Sequence, residues 1–353
     1  MKYLIDFKDT TPTFGFSKWL HSTFKSYEPF KNFNTYLVEC DEPPHISPFI
    51  SSVSIDEELK TDAQTETFQN KEWWKTYSLR EATYDGNITE FERFGDRCCV
   101  YLLDSGANNS DSTLFSFNGN TVDNVGHGSA MVDLITHNGL TNATVKSVKI
   151  FDADQQPKLS DFLRAIDIII TDYKENGKLG IVNCSWTVER NRYLEGKIQL
   201  LIDNGLCVVA AAGNAADPVD LYTPAAMKDV VTVGAYIKNF TPTTMCNTGV
   251  KDCWAPSETG TSEAAAICSA SFAYNATQYE NFDNNWVGLL DSQRINLMKI
   301  AYTSHGSAAN RIVTFENAEL PQLSTPTERK TIPTVANLTD DRDFYVVAAF
   351  SSK

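Results

Sequence analysis

Apolar and polar positions alternate in blocks from about residue 97 to residue 305. Five short runs are largely apolar and favour strands: CCVYLLD, VKSVKIF, GIVNCSW, CVVAAAG and VVTVGAY. Such runs are typical of strands buried on both faces of a sheet. Helical patterns separate them, so the chain predicts a parallel sheet with helices on both faces. In such folds the reacting groups gather at the carboxyl ends of the strands.

Two of the helical patterns have recognisable ends. In SDFLRAIDIIITDYKENG the apolar residues recur along one helical face, with Ser160 as the predicted N-cap and Gly177 as the predicted stop. YLEGKIQLLIDNG repeats this pattern and ends at Gly205. We expect both helices to pack on the sheet through their apolar faces.

The two ends of the chain follow other patterns. KYLIDF, a helix around Trp19 to Phe24, NTYLVEC and SSVSIDEE predict a small α+β unit over residues 1–60. Residues 61–72 are polar and lack periodicity, which indicates a linker before the main domain, residues 73–305. Residues 306–353 form a C-terminal extension with a proline-rich linker and one strand candidate, FYVVAAF. The predicted fold class is therefore α/β, with a small α+β unit in front and a short extension behind.

Composition narrows the classes of partner. The 353 residues are 42% hydrophobic, which is enough for a substantial core, and the net charge of −15 argues against nucleic acid or an anionic membrane as partner. The eight cysteines lack metal-ligand spacing. MKYLIDFKDT has too short an apolar stretch for a signal peptide, so we expect a cytoplasmic protein or one enclosed in a viral or other macromolecular particle.

Four stretches place chemically able side chains at strand ends or helix starts. VYLLDSGAN ends a strand at Asp104, and NVGHGSAMVDLI begins a helix at His127. VVAAAGNAADP puts Asn214 just past a strand, and TGTSEAAA puts Ser262 at a helix start. Amide hydrolysis through serine needs a hydroxyl, an imidazole to take its proton and a carboxylate to orient the imidazole. It also needs donors where the oxyanion develops, which a side-chain amide and a helix-terminal N–H can supply.

Each of these residues also has a purely structural explanation. Asp104 followed by Ser-Gly suits a turn, and His127 between two glycines suits a loop. Asn214 after a glycine suits a turn of positive φ, and Ser262 suits a helix cap. Their joint occurrence in this order, on an α/β background, favours the chemical explanation.

These four stretches resemble the motifs of the subtilisin-like serine proteases, the subtilases. The resemblance covers residues 73–305 and implies a subtilisin-like fold in which Asp104 orients His127, His127 is the general base, Asn214 binds the oxyanion and Ser262 attacks. The segment NCSWT resembles the one that pairs with substrate backbone, which implies substrate-binding roles for Ser185, Trp186 and Thr187. The resemblance also implies a polypeptide substrate.

The sequence departs from the family pattern at several points. Ala130, Ala266 and Ile267 replace motif residues that mainly pack the core. Glu263 follows the nucleophile, where the family favours an apolar side chain, and the connection from Ser257 to Gly260 is short. A negative charge near the developing oxyanion raises the activation barrier of the reaction, so we expect a slow enzyme. The alternative is that Glu263 serves only to stabilise the helix, because a carboxylate in the first turn interacts favourably with the helix dipole. Trp186 and Thr187 replace a smaller pair, so we expect an altered or narrowed pocket.

Three expectations stay open. Residues 1–60 resemble a shortened propeptide, which implies an intramolecular inhibitor released by a cut within residues 58–72; an attached accessory domain is the alternative. The family often binds calcium, and four acidic residues are candidate ligands by residue type: Asp152, Asp154, Asp217 and Asp220. No metal site and no other cofactor is assigned. The alternative to an enzyme is an inactive subtilase scaffold that serves as a structural or binding module.

Overall fold

The computed structural model describes residues 1–8, 16–45, 49–61, 95–136, 141–237, 242–250, 252–257 and 259–277. Most of the predicted linker, the first part of the main domain, residues 278–305 and the C-terminal extension with FYVVAAF lie outside these residues. The predictions made for those segments therefore stay predictions.

The N-terminal unit is a four-stranded antiparallel sheet with one helix: β1 (Lys2–Phe7), α1 (Phe16–Thr23), β2 (Ser26–Pro29), β3 (Thr35–Glu39) and β4 (Ile50–Ile55), in the order β2-β3-β1-β4. Strand β1 alternates its side chains between two cores. Tyr3, Ile5 and Phe7 join an aromatic cluster with α1, whereas Leu4 faces the main domain. Strand β2 was not predicted, because it is a short edge strand of mostly polar residues.

The main domain contains a longer series of elements. In chain order they are β5 (Cys98–Asp104), β6 (Ser112–Ser116), α2 (His127–Ile135), β7 (Thr144–Lys149), α3 (Leu159–Asn176), β8 (Leu179–Cys184), β9 (Val188–Glu189), α4 (Arg192–Asp203), β10 (Cys207–Ala211), β11 (Tyr222–Thr223), β12 (Val231–Tyr236), β13 (Cys253–Pro256) and α5 (Thr261–Thr277). Seven strands form a parallel sheet in the order β13-β12-β10-β8-β5-β7-β6. This confirms the predicted fold class.

The helices cover both faces of the sheet. Alternate residues of β5 show this: Cys98, Val100 and Leu102 lie in the core that includes α2 and α5, whereas residues 99, 101 and 103 lie in the core that includes α3 and α4. Because both faces are buried, the strands carry apolar side chains at nearly every position. That is why five of the seven were recognisable in the sequence.

One predicted helix start was wrong. Helix α3 begins at Leu159 and its N-cap is Lys158, so Ser160 lies inside the first turn. The carboxylate of Asp161 accepts a hydrogen bond from the Lys158 N–H at 2.9 Å, and it thereby takes the capping role given to Ser160. Gly177, at φ 66°, ends the helix as predicted.

Candidate active site

The candidate residues follow neighbouring strands of the sheet. Asp104 ends β5, and in the next strand, β8, Cys184 is paired with Leu103. Ser185, which follows Cys184, therefore lies beside Asp104 at the carboxyl edge. Strand β10 neighbours β8 on the other side and leads to Asn214. The parallel topology thus gathers three of the predicted site segments at one edge.

Asp104 and His127 form a buried pair. Oδ1 of Asp104 lies 2.6 Å from Nδ1 of His127, and the side chains are 0% and 1% exposed. The same oxygen accepts the Ser105 N–H at 2.8 Å. Burial raises the pKa of Asp104, while the adjacent His127 acts to lower it. An imidazole that donates from Nδ1 presents an unprotonated Nε2, which is the form a general base requires.

Two glycines give the histidine segment its shape. Gly126 precedes α2 with φ 81°, a left-handed conformation that favours glycine. At Gly128 a Cβ would lie 1.9 Å from the carbonyl oxygen of Gly106. A larger residue at position 128 would therefore push α2 away from the strand end that carries Asp104.

Asp123, which sequence analysis missed, anchors the same segment. Its carboxylate accepts five hydrogen bonds, from Oγ of Ser105 (2.8 Å), N of Val125 (3.2 Å), N of Gly126 (2.8 Å), and N and Oγ of Ser129 (2.8 and 2.7 Å). These donors lie on both sides of His127. The only sequence feature that could have indicated this role is an acidic residue four positions before the histidine.

Lys149 is a second anchor that sequence analysis missed. It is the last residue of β7, where it is paired with Asp104 of β5, and it is 0% exposed. Its Nζ donates a hydrogen bond to the carbonyl oxygen of Val122 at 2.6 Å. Its ammonium also pairs with Asp152 at 2.7 Å. Burial alone would raise the pKa of Asp152, but hydrogen bonds from Lys149 and Asn118 lower it. Lys149 therefore fixes the backbone that leads to Asp123.

Ser262 is bound to the end of β8. Its Oγ donates to the carbonyl oxygen of Ser185 at 2.8 Å, and Oγ of Ser185 donates to the carbonyl oxygen of Ser262 at 2.8 Å. Ser262 is the second residue of α5, and the Ser185 segment follows the strand beside Asp104. This reciprocal pair brings the predicted nucleophile to the edge of the sheet that holds Asp104 and His127.

Asn214 is oriented by Thr261, the residue before Ser262. Its Oδ1 accepts from N and Oγ1 of Thr261 at 3.0 and 3.1 Å, and Oγ1 of Thr261 accepts the Gly213 N–H at 3.0 Å. A backbone N–H can only donate, so the atom facing Thr261 must be the amide oxygen. The NH₂ group of Asn214 therefore points away from Thr261, and it can donate to another group.

Asn247, also missed, holds the loop that carries Asn214. It is 1% exposed, and its Nδ2 and backbone N–H donate to the carbonyl oxygens of Ala212 (2.8 Å) and Gly213 (2.9 Å). Its Oδ1 accepts the N–H groups of Ala215 and Asp217 at 3.0 and 3.1 Å. A buried amide with both ends bonded fixes the conformation of this loop.

Glu263 faces the short connection before α5. Its Oε2 accepts a hydrogen bond from Oγ of Ser257 at 2.8 Å. The same Oγ of Ser257 accepts the N–H groups of Thr259 and Gly260 at 3.2 and 3.1 Å. Ser257 is 0% exposed. Glu263 thus holds the connection through one buried hydroxyl.

The other two predicted substrate-binding residues are buried. Trp186 is 1% exposed and packs against Phe162 of α3, with ring centroids 5.0 Å apart. Its Nε1 makes no hydrogen bond within the described residues. Thr187 is 1% exposed, and a Cβ on Gly213 would lie 3.3 Å from its Oγ1. The indole therefore contributes to the core between the sheet and α3.

The candidate calcium ligands do not gather. Asp152 is paired with Lys149, and Asp217 accepts from the hydroxyl of Tyr222 at 3.0 Å. Within the described ranges, no three His, Cys, Asp or Glu side chains are arranged to hold a metal ion. None of the helices in the described part of the chain combines the length and the apolar character needed to cross a bilayer.

Comparison with known proteins gives the family of this chain. The sequence model of a protein family, described as the subtilase family, matches residues 104–287, just over half of the chain. This chain belongs to the subtilase family. The matched segment of this subtilase begins at Asp104 and includes His127, Asn214 and Ser262.

Individual relatives are distant. Subtilisin-like protease 12 of Trichophyton verrucosum is 30% identical over 178 residues, 46% of this chain and 45% of that protein. Subtilisin-like protease 2 of Pseudogymnoascus destructans is 26% identical over 225 residues, 60% and 55% of the two chains. The chain thus spans about half the length of the curated relatives it matches. A cold adapted subtilisin-like serine proteinase of known crystal structure shares the fold, with a TM-score of 0.55 at 20% identity over 65% of this chain and 92% of that one.

Proposed function

We propose that this subtilase is a serine endopeptidase that hydrolyses peptide bonds through an acyl-enzyme at Ser262. The observation that carries the proposal is the buried 2.6 Å contact between Asp104 and His127, at the sheet edge where Ser262 meets Ser185. A scaffold that only binds a partner has no need to bury a carboxylate against an imidazole, because burying a charge is costly. The relatives above are named as proteases, which agrees with the proposal.

In the proposed reaction, Oγ of Ser262 attacks the carbonyl carbon of the scissile bond while His127 takes the hydroxyl proton. Asp104 stabilises the imidazolium. The tetrahedral oxyanion accepts hydrogen bonds from Nδ2 of Asn214 and from the backbone N–H of Ser262 in the first turn of α5. His127 then gives its proton to the leaving amine, and a water molecule repeats the sequence on the acyl-enzyme.

The proposal includes the N-terminal unit as an intramolecular inhibitor. The segment after β4 runs antiparallel to residues 157–159: Leu59 N–H donates to O of Pro157 at 2.8 Å, and Leu159 N–H donates to O of Glu57 at 2.9 Å. Residues 150–158 leave the carboxyl end of β7, so this segment lies on the same edge of the sheet as Asp104. A chain that continues along this edge is well placed to occupy a substrate cleft.

The interface with α3 and α4 suits a unit that can be released. Leu4, Phe30 and Leu37 belong to the same hydrophobic cluster as residues of α3 and α4, and paired polar groups also join the unit to these helices. Those groups regain water when the unit departs: Glu28 with Arg164, Lys31 and Asn32 with Asp167, and Asp6 with Tyr193 and Lys197. Mixed interfaces of this kind are typical of contacts that form and dissociate.

Incubation of the purified chain with an unfolded protein substrate tests the proposal, with Ser262→Ala as the matched control. We expect the substrate to be cut, and a fragment that ends within residues 58–72 to be released, only when Ser262 is present. A Ser262→Ala chain that still shortens assigns the cut to another protease. A full-length chain that never shortens while it cuts the substrate makes residues 1–60 an accessory domain, and no cleavage at all favours the inactive scaffold.

A further inference from the structure

Three buried polar side chains and the backbone carbonyl of Ser262 form one hydrogen-bonded series beneath the predicted nucleophile. Oγ of Ser269 donates to Oδ1 of Asn183 at 2.9 Å, and Nδ2 of Asn183 donates to Oγ of Ser185 at 2.8 Å. Oγ of Ser185 donates to the carbonyl oxygen of Ser262 at 2.8 Å. None of the four residues is more than 2% exposed. The series begins and ends on α5 and crosses β8 in between.

The direction of every hydrogen bond is determined. The carbonyl of Ser262 can only accept, so Ser185 must donate to it. Because the hydroxyl hydrogen of Ser185 is used in that bond, its Oγ must accept the bond that it shares with Asn183. In the Asn183 side chain only the NH₂ group can donate. The amide oxygen consequently faces Ser269, whose hydroxyl must donate. Bonds aligned in this way strengthen one another in a site from which water is excluded.

These polar groups are not needed for packing. Asn183 interrupts an otherwise apolar strand, and Ser269 lies in a helix that is mainly alanine, cysteine and isoleucine near this position. A buried amide without both partners destabilises a protein, whereas apolar side chains of similar size would fill the space without that cost. A polar series at this point is therefore explained better by what it holds in place.

We infer that Ser269 and Asn183 are positioning residues for the nucleophile, an inference that rests on the proposed function. Ser269 lies two helical turns after Ser262 on the same face of α5, so the two serines bind β8 at two points. The carbonyl of Ser262 is held through the series, and its hydroxyl is held by the carbonyl of Ser185. Both the backbone and the side chain of Ser262 are thus fixed relative to the strand beside Asp104.

The test is the reaction of the full chain with a fluorophosphonate, which modifies an activated serine. In Ser269→Ala the amide oxygen of Asn183 loses its donor and the series loosens. We expect the maximal rate of modification to fall about tenfold, with the half-saturating probe concentration unchanged. Ser271→Ala is the matched control, because it removes a buried hydroxyl from the same helix outside the series, and we expect less than a twofold change.

A double-mutant cycle separates positioning from general destabilisation. If the series acts as a unit, Ser185→Ala combined with Ser269→Ala is no slower than Ser185→Ala alone. Additive losses, equal losses in the Ser269 and Ser271 variants, or an unchanged rate in Ser269→Ala would overturn the inference. Should Ser269→Ala not fold, Ser269→Cys retains a weak donor of similar size. Its rate is expected to lie below that of the wild type, and a wild-type rate contradicts the inference.

A second measurement keeps this inference separate from the proposed function. If the wild-type chain does not react with the probe, the proposed function fails and hydrogen exchange decides the inference. We then expect Ser269→Ala, but not Ser271→Ala, to speed amide exchange in the first turn of α5. Equal exchange in the two variants contradicts the positioning role.

Discussion

Oδ1 of Asp104 lies 2.6 Å from Nδ1 of His127, and neither side chain is more than 1% exposed. The contact joins the carboxyl end of β5 to the first residue of α2. Because water is excluded, the carboxylate strongly favours an imidazole that has gained a proton. The pair can therefore hold the positive charge that forms when a serine hydroxyl is deprotonated.

Replacement of Asp104 by Asn tests this role without changing the size of the side chain. We expect kcat for peptide hydrolysis to fall on the order of 10³–10⁴-fold, because the amide favours the wrong imidazole tautomer and cannot stabilise the imidazolium. Steady-state kinetics measures the loss. Asp133→Asn is the control, since Asp133 is an exposed carboxylate on α2. A comparable loss in both variants contradicts the assignment.

Asn214 is expected to act mainly in the transition state. Asn214→Leu removes the donor to the oxyanion, so we expect kcat to fall by about 10²–10³-fold with little change in KM. Thr261→Val removes the hydroxyl that bonds to Oδ1 of Asn214 and should produce a smaller loss of kcat. An increase in KM with kcat preserved would show that Asn214 binds substrate and transition state equally.

Glu263 is expected to slow acylation through its charge. Because its carboxylate also holds Ser257, the informative change is Glu263→Gln, which removes the charge and keeps an acceptor for that hydroxyl. We expect a faster single-turnover rate in Glu263→Gln and a smaller gain in Glu263→Met, which also loses the anchor. An unchanged or lower rate in Glu263→Gln rejects the proposed effect of the charge.

The ion pair between Glu28 and Arg164 should make docking of the N-terminal unit sensitive to acid. The hydrogen bond from Arg164 holds the pKa of Glu28 below its ordinary value of 4.5. A lowered pKa stabilises the folded protein above about pH 4.5, and this stabilisation is lost as the pH falls through the lowered value. In a Ser262→Ala background, Glu28→Gln should lower the Tm by about 1–3 °C near pH 7.

That difference should shrink as the pH falls below 4.5 and disappear once the pH is below the lowered pKa of Glu28, where the carboxyl carries a proton in either state. Thermal unfolding of the two proteins across this pH range measures it. A difference in Tm that is constant with pH would show that the pair contributes through packing and not through charge.

The sequence was most informative where burial was complete. Strands such as β5 and β8 were predictable because both faces are covered, whereas β6 and β13 lie at the edges of the sheet and were not. Asp104, His127, Asn214 and Ser262 were recognisable because their motifs are local.

The groups that hold these residues were harder to predict. Asp123 binds Ser105, 18 positions away, and Asn247 binds the Asn214 loop about 30 positions away, and such contacts leave no local pattern. Asn183 is an exception, because an amide in an apolar strand indicates a buried polar contact in the sequence itself.

Covalent modification of Ser262 tests the central claim most directly. The full chain is treated with a fluorophosphonate, and the modified peptide is located by mass spectrometry in the wild type, in Ser262→Ala and in His127→Ala. Our account predicts a single modification on Ser262 in the wild type, its absence in Ser262→Ala, and a strongly reduced rate in His127→Ala. Modification at another residue, or an equal rate without His127, would contradict it.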